Sequence, residues 1–246
     1  TIVIREIRRF SRIWLQTLVP PAITIGLYFV IFGNLVGRRI GEMDGFQYME
    51  FIVPGLIMMA VIQNSYSNVV SSFFSHKFQR SVEELLVSPI PNYVILLGFV
   101  VGGMARGLAV GAIVTTMSLF FADLSIHSFP ITIAVVLMTS VVFSLAGFIN
   151  AVFADSFDDI SIIPTFVLTP LIYLGGVFYS IQMLPPFWQV VSSLNPIFYM
   201  VNTFRYGILG SSDIDVYWAF MIMGVFILVL YISCIWLLRH GTGIRN

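Results

Sequence analysis

The sequence predicts an all-α integral membrane protein. It has six transmembrane helices, an amphipathic helix ahead of the first, and a short amphipathic segment between the second and third. Three observations carry this reading. Hydrophobic residues make up 58% of the 246 residues and charged residues 10%, against roughly a quarter charged in ordinary soluble domains. A soluble core of this size would leave its surface mostly apolar. Six segments approach or exceed the length of about 20 apolar residues that a hydrocarbon core requires. Finally, the formal net charge is zero, and Cys234, His76, His127 and His240 are scattered. That pattern suggests no nucleic-acid partner, disulfide framework or Cys/His metal site.

Residues 1–17 open the chain with Val3, Ile7, Phe10 and Trp14 on one helical face and Arg5, Arg8, Arg9 and Arg12 on the other. This is the pattern of a helix lying in the membrane interface with its charges towards lipid phosphates; a plain positive anchor is the blander reading. No cleavable signal pattern is visible. The spans follow at 18–34, 51–75, 92–121, 129–153, 160–179 and 216–238, with Pro20, Pro21 and Pro130 in first turns, where proline is tolerated. Short connections and the lack of an internal repeat predict a single bundle over 1–246.

An even span count puts both ends on one side. Placing them inside gives eight cytoplasmic cations (Arg5, Arg8, Arg9, Arg12, Lys77, Arg80, Arg239, Arg245) against three outside (Arg38, Arg39, Arg205). Positive charge of that bias sets orientation.

Two absences narrow the energy source. The single lysine, Lys77, follows His76 and not a glycine-rich loop, so no phosphate-binding loop is present. The acidic residues fall outside or at the ends of the spans, so no intramembrane proton relay is evident.

Within the spans, Arg106 is the one central charge. It suits contact with a lipid phosphate or acidic headgroup, and equally a snorkelling role. Gly98, Gly102, Gly103, Gly107 and Gly111 around it read as a packing face. Asn64, Asn68 and Ser71 share one face of the second span. Such a face must meet protein or a wet cavity, so it either lines a path or serves as hydrogen-bonded glue. After the fifth span, 180–210 is punctuated by Pro185, Pro186 and Pro196 and by aromatics, which suggests short helices in the outer leaflet.

Residues 168–205 then carry a pattern of wider reach. Leu168-Thr-Pro-Leu-Ile-Tyr-Leu-Gly-Gly-Val177 is followed by Leu184-Pro185 and by Pro196-Ile-Phe-Tyr199 with Arg205. This resembles the signature of the permease subunit of type-2 ABC transporters, in particular bacterial permeases near nodulation-factor and drug exporters. The resemblance implies a homodimer in a bacterial inner membrane. Each copy would work with a cytoplasmic ATPase subunit that binds ATP-Mg and performs the hydrolysis, and the chain itself would bind no cofactor and be no enzyme.

The resemblance also implies that the amphipathic segment at 76–91 is a coupling helix, with Lys77, Phe78, Arg80, Val82, Glu83, Glu84 and Leu85 meeting the ATPase. It makes 180–210 an extracellular cap in which Leu184, Pro185, Pro196, Tyr199 and Arg205 form an outer gate. On that reading Arg205→Ala leaves assembly intact and slows transport. Asn64, Asn68, Ser71 and Arg106 are the candidates for the translocation path. The spans hold no multi-charge pocket, which favours a lipid-like or amphipathic substrate. A secondary transporter or channel without an ATPase is the alternative; a lipid-modifying enzyme would need a catalytic constellation that the sequence does not display.

Overall fold

In a computed structural model, the chain is described for residues 2–79, 81, 82, 89–241 and 243. Helices dominate, as composition demands. α1 (Ile2–Arg12) leads through the short α2 (Trp14–Thr17) into α3 (Val19–Tyr28), which continues as a π-helical stretch Phe29–Val36 into α4 (Gly37–Ile40). A two-stranded hairpin follows, β1 (Glu42–Met43) against β2 (Phe46–Gln47), with Glu42 opposite Gln47. The sequence reading did not anticipate it, although Asp44-Gly45 is a favoured hairpin dipeptide and both residues have positive φ.

The centre of the molecule is α5 (Tyr48–Phe78), 31 residues long, or about 46 Å at 1.5 Å per residue. Its start is fixed by reciprocal capping between Gln47 and Glu50, which satisfies end N–H groups that the helix cannot pair itself. Around it stand α6 (Asn92–Ser118), α7 (Phe129–Phe153), the broken helix α8 (Asp159–Ile163) to α9 (Thr169–Leu174), and α10 (Pro186–Ser193). α11 (Pro196–Leu209) and α12 (Val216–His240) complete the set. Asn195 and Asp215 cap the last two helices by accepting from Ile197 N–H at 3.0 Å and Tyr217 N–H at 2.8 Å.

Among the described residues, four helical stretches are long and apolar enough to cross a membrane: Trp14–Gly33, Asn92–Ser118, Phe129–Phe153 and Val216–His240. The other two expected spans differ for physical reasons. α5 is long enough but carries the asparagine and serine face. Asp159–Leu174 is apolar but short, broken by the prolines Pro164 and Pro170.

The glycine face of α6 is a packing device, as expected, and it serves two partners. A Cβ on Gly103 would stand 2.6 Å from a Val69 methyl of α5, and one on Gly107 would collide with the Ser65 hydroxyl. On the adjoining side, a Cβ on Gly102 would stand 2.6 Å from the Cβ of Glu6. Small residues thus let α5 and α1 both approach the α6 backbone.

Candidate functional site

Three places gather the residues that the sequence singled out. The first is the C-terminal end of α5. Lys77 Nζ donates to the carbonyls of Val152 at 2.9 Å and Ala154 at 2.7 Å, and pairs with Asp155 at 3.4 Å. A lysine at the carbonyl end of a helix satisfies acceptors that have no helical partner and complements the dipole. Lys77 is therefore a cap on α7 and not a free docking charge. Val82 is only 3% exposed, so at this one position the chain itself covers the apolar side chain. Phe78 differs, at 65% exposed, and stacks on Phe157 at 5.2 Å between ring centres. Arg80, Glu83, Glu84 and Leu85 lie outside the described residues. Below this point Asp159 accepts from the backbone N–H groups of Asp155 and Ser156. These bonds and the Ser156 hydroxyl hold its carboxyl below the usual carboxylate range.

The second place is the polar face of α5. Arg9 Nη2 donates to Asn68 Oδ1 at 3.0 Å and to the Asn68 carbonyl at 2.9 Å, while Nη1 reaches Ser71. One turn away, Arg106 Nη2 donates to Asn64 Oδ1 at 3.2 Å. The structure thus brings Asn64, Asn68, Ser71 and Arg106 together and adds Arg9. The expectation that all four arginines of α1 face lipid phosphates is corrected: Arg5, Arg8 and Arg12 are exposed, but Arg9 turns inward.

The packed face of α1 is also rotated from the expected stripe. Phe10 is buried while Ile7 and Trp14 remain open. Glu6, which the sequence reading did not single out, is the reason. It is 1% exposed, accepts from Ser72 Oγ at 2.6 Å and pairs with Arg9 at 3.3 Å. A signal for it existed: Ile2 and Glu6 are four apart, matching Gly98 and Gly102, against which they pack.

The third place is the 180–210 segment, where the expected short helices are present. Arg205 is 2% exposed. Its Nη2 donates to the Gly176 carbonyl at 2.6 Å, Nη1 to Asn202 Oδ1 at 3.3 Å and Nε to the Phe51 carbonyl at 3.4 Å. The guanidinium carbon also lies 3.9 Å from the Phe51 ring centre. Gly176, with φ +74°, turns the chain so that its carbonyl can meet the guanidinium. Arg205 therefore clamps α11 to α5 and to the end of α9, and its removal cannot be expected to leave assembly intact.

Tyr199 donates to the Ser193 carbonyl at 2.8 Å, and Gln189 to that of Leu184 at 2.8 Å. Pro185 and Pro196 sit at the starts of α10 and α11. The five cap residues therefore define the turns of one folded unit. Among the described residues, no cluster of His, Cys, Asp or Glu could hold a metal ion.

Residues 1–209 match the family described as ABC-2 type transporter. The chain belongs to the ABC-2 type transporter family. Over 242 residues it is 60% identical to the inner membrane transport permease YadH of Escherichia coli (strain K12), covering 98% of this chain and 94% of the relative. Nodulation protein J of Neorhizobium galegae is 23% identical over 233 residues, 90% of this chain and 87% of the relative. Nodulation protein J of Rhizobium leguminosarum bv. viciae is 22% identical over 219 residues, covering 87% and 83%. This ABC-2 chain is thus an all-α, multi-pass inner-membrane transport permease.

Proposed function

We propose that this permease is the membrane-spanning half of an ATP-driven exporter, with a second copy of itself completing the path. A separate cytoplasmic ATPase subunit would bind ATP-Mg. All six expected segments would cross, with both termini in the cytoplasm. Support comes from the bias of positive charge: in the six-span layout Arg5, Arg8, Arg9, Arg12, Lys77 and Arg239 all fall on the side of the termini.

One observation carries the coupling reading. The end of α5 is tied by Lys77 to the end of α7, with Phe78 left exposed beside the 76–91 segment. A partner pressing there would move two helices together, one of them the central α5. That is the mechanical requirement for shifting a bundle between inward- and outward-open states. Asn64, Asn68, Ser71 and Arg106 would then line part of the substrate path, and the cap at 180–210 would close its outer end. An amphipathic, lipid-like substrate suits walls that are apolar except for this face.

The test is co-purification from native membranes with ATPase activity assayed on the associated protein. The parent chain should bring down a hydrolysing subunit, and Phe78→Asp should lose it while remaining folded. A parent chain that comes out of gently solubilised membranes alone and without hydrolysis would overturn the ATPase-coupled reading in favour of ion-coupled flux.

A further inference from the structure

The two guanidiniums that reach the polar face of α5, from α1 and α6, are unequally served. Arg9 has Glu6 as a counter-ion. Arg106 has no carboxylate within ion-pair distance among the described residues, and makes one hydrogen bond, to a neutral amide. Three donors at this face, Arg9 Nε, Arg106 Nε and Asn68 Nδ2, are buried without an acceptor, and Asn68 is fully buried. An unmet donor in such a place costs on the order of 1–3 kcal/mol, and an uncompensated cation within a span more. The two guanidiniums are themselves part-exposed, and the chemistry that suits both together is an anion with several acceptor oxygens.

What adjoins the cations says what carries that anion. Arg106, Ile113 and Met117 are spaced i, i+7 and i+11, on one face of α6. Ile113 and Met117 form one wall of an apolar groove of about 360 Å³; Trp14, Leu18, Ile23 and Gly26 form the other. Along both walls the cation comes first and the apolar lining follows: Arg9 before Trp14 and Leu18, Arg106 before Ile113 and Met117. From Arg106 to Met117 the helix rises about 16 Å, the length of a medium acyl chain.

We propose that Arg9 and Arg106 bind the phosphate of a membrane amphiphile whose hydrocarbon chain lies in the groove between α2–α3 and α6. Asn64 and Asn68 hold the two guanidiniums one turn apart, and Glu6 orients Arg9. The assignment rests on the reading of this face as part of the substrate path, but its test involves neither ATP nor the partner, so the two fail separately.

The test uses the purified, delipidated chain in an uncharged detergent, with bound lipid counted by native mass spectrometry. Phosphatidylglycerol should bind at least about ten-fold more tightly than diacylglycerol of the same chains, a factor worth about 1.4 kcal/mol. Arg106→Gln and Arg9→Gln should each remove most of that preference, and the exposed Arg5→Gln should retain it. Ile113→Trp, which fills the groove and leaves both arginines, should weaken phosphatidylglycerol binding several-fold and so covers the case in which an arginine variant does not fold. Equal binding of diacylglycerol, or undiminished preference in Arg106→Gln or Ile113→Trp, would overturn the proposal. So would displacement of the lipid by an equimolar amount of glycerol 3-phosphate, which would mark a site for a free anion.

Discussion

Lys77 Nζ lies 2.7 Å from the carbonyl oxygen of Ala154, joining the C-terminal end of the central helix α5 to the residue that ends α7. The Val152 carbonyl, at 2.9 Å, shares the same ammonium. A single lysine therefore closes two acceptors that α7 cannot satisfy internally.

Lys77→Met keeps the aliphatic stem and removes the charge. Hydrogen bonds from charged donors contribute about 1.5–3 kcal/mol each way of counting, and two carbonyls would be left half-served. The expected outcome is a loss of about 2 kcal/mol in stability, seen as a lowered thermal midpoint in detergent. Amide exchange should quicken at 150–154 and not in α12. Unchanged exchange at that end would show the cap to be dispensable.

Arg205 gives a contrasting expectation. It is a buried cation held by two backbone carbonyls, an asparagine and an aromatic face. Arg205→Ala leaves the Gly176 carbonyl and the Asn202 amide oxygen buried without this donor, at about 1–3 kcal/mol apiece. Arg205→Lys keeps the charge but cannot fork to three acceptors, so it should restore less than half of the loss. Yield and thermal midpoint of the folded chain measure both; a stable Arg205→Ala protein that only transports slowly would return the residue to a purely gating role.

The legible part of this chain was what depends on composition and periodicity. Apolar length located the helices at Asn92–Ser118, Phe129–Phe153 and Val216–His240 with nearly the expected ends, because caps and prolines act locally. Polar residues at i and i+4 marked Asn64 and Asn68 as needing partners, which they have. What the sequence could not supply was the identity of those partners. Arg9 and Asn68 are 59 positions apart, and nothing local says that one arginine of four turns inward. Val82 shows the same limit from the other side: an amphipathic stripe states that one face is apolar, and only tertiary contacts decide whether that face is covered by the same chain.

Glu6 is the residue that holds α1 in its orientation. Its carboxylate accepts from Ser72 on α5 and from Arg9 within α1, and its stem packs on Gly102. Removing the carboxylate leaves the buried Ser72 hydroxyl without its acceptor and takes the counter-ion from Arg9, which is itself part-exposed and keeps its bonds to Asn68 and Ser71. Glu6→Ala should therefore cost about 1–3 kcal/mol and loosen α1, raising amide exchange across Ile2–Arg12. A double change, Glu6→Ala with Arg9→Ala, should cost less than the sum of the two single changes. Strict additivity would show that the two side chains do not act as a pair.

Asp213 should give the region around 180–213 a pH-dependent stability. It lies between α11 and α12, beside Ser180 and Gln182. Burial holds its carboxyl above the usual carboxylate range, against the opposing attraction of Arg205. An unfolded aspartate ionises near pH 3.9. Between that value and the raised one of the folded chain, the folded state retains a proton that the unfolded state has shed. Stability must then fall as pH rises through this window and level off above it. Thermal midpoints followed upward from pH 4 should show that decline in the parent. In Asp213→Asn, which stays neutral at every pH while keeping an oxygen for Ser180 and Gln182, the decline should flatten. A decline of equal size in that variant would assign it to another group, and a rise in the parent would mean that Arg205 outweighs burial and depresses the carboxyl instead.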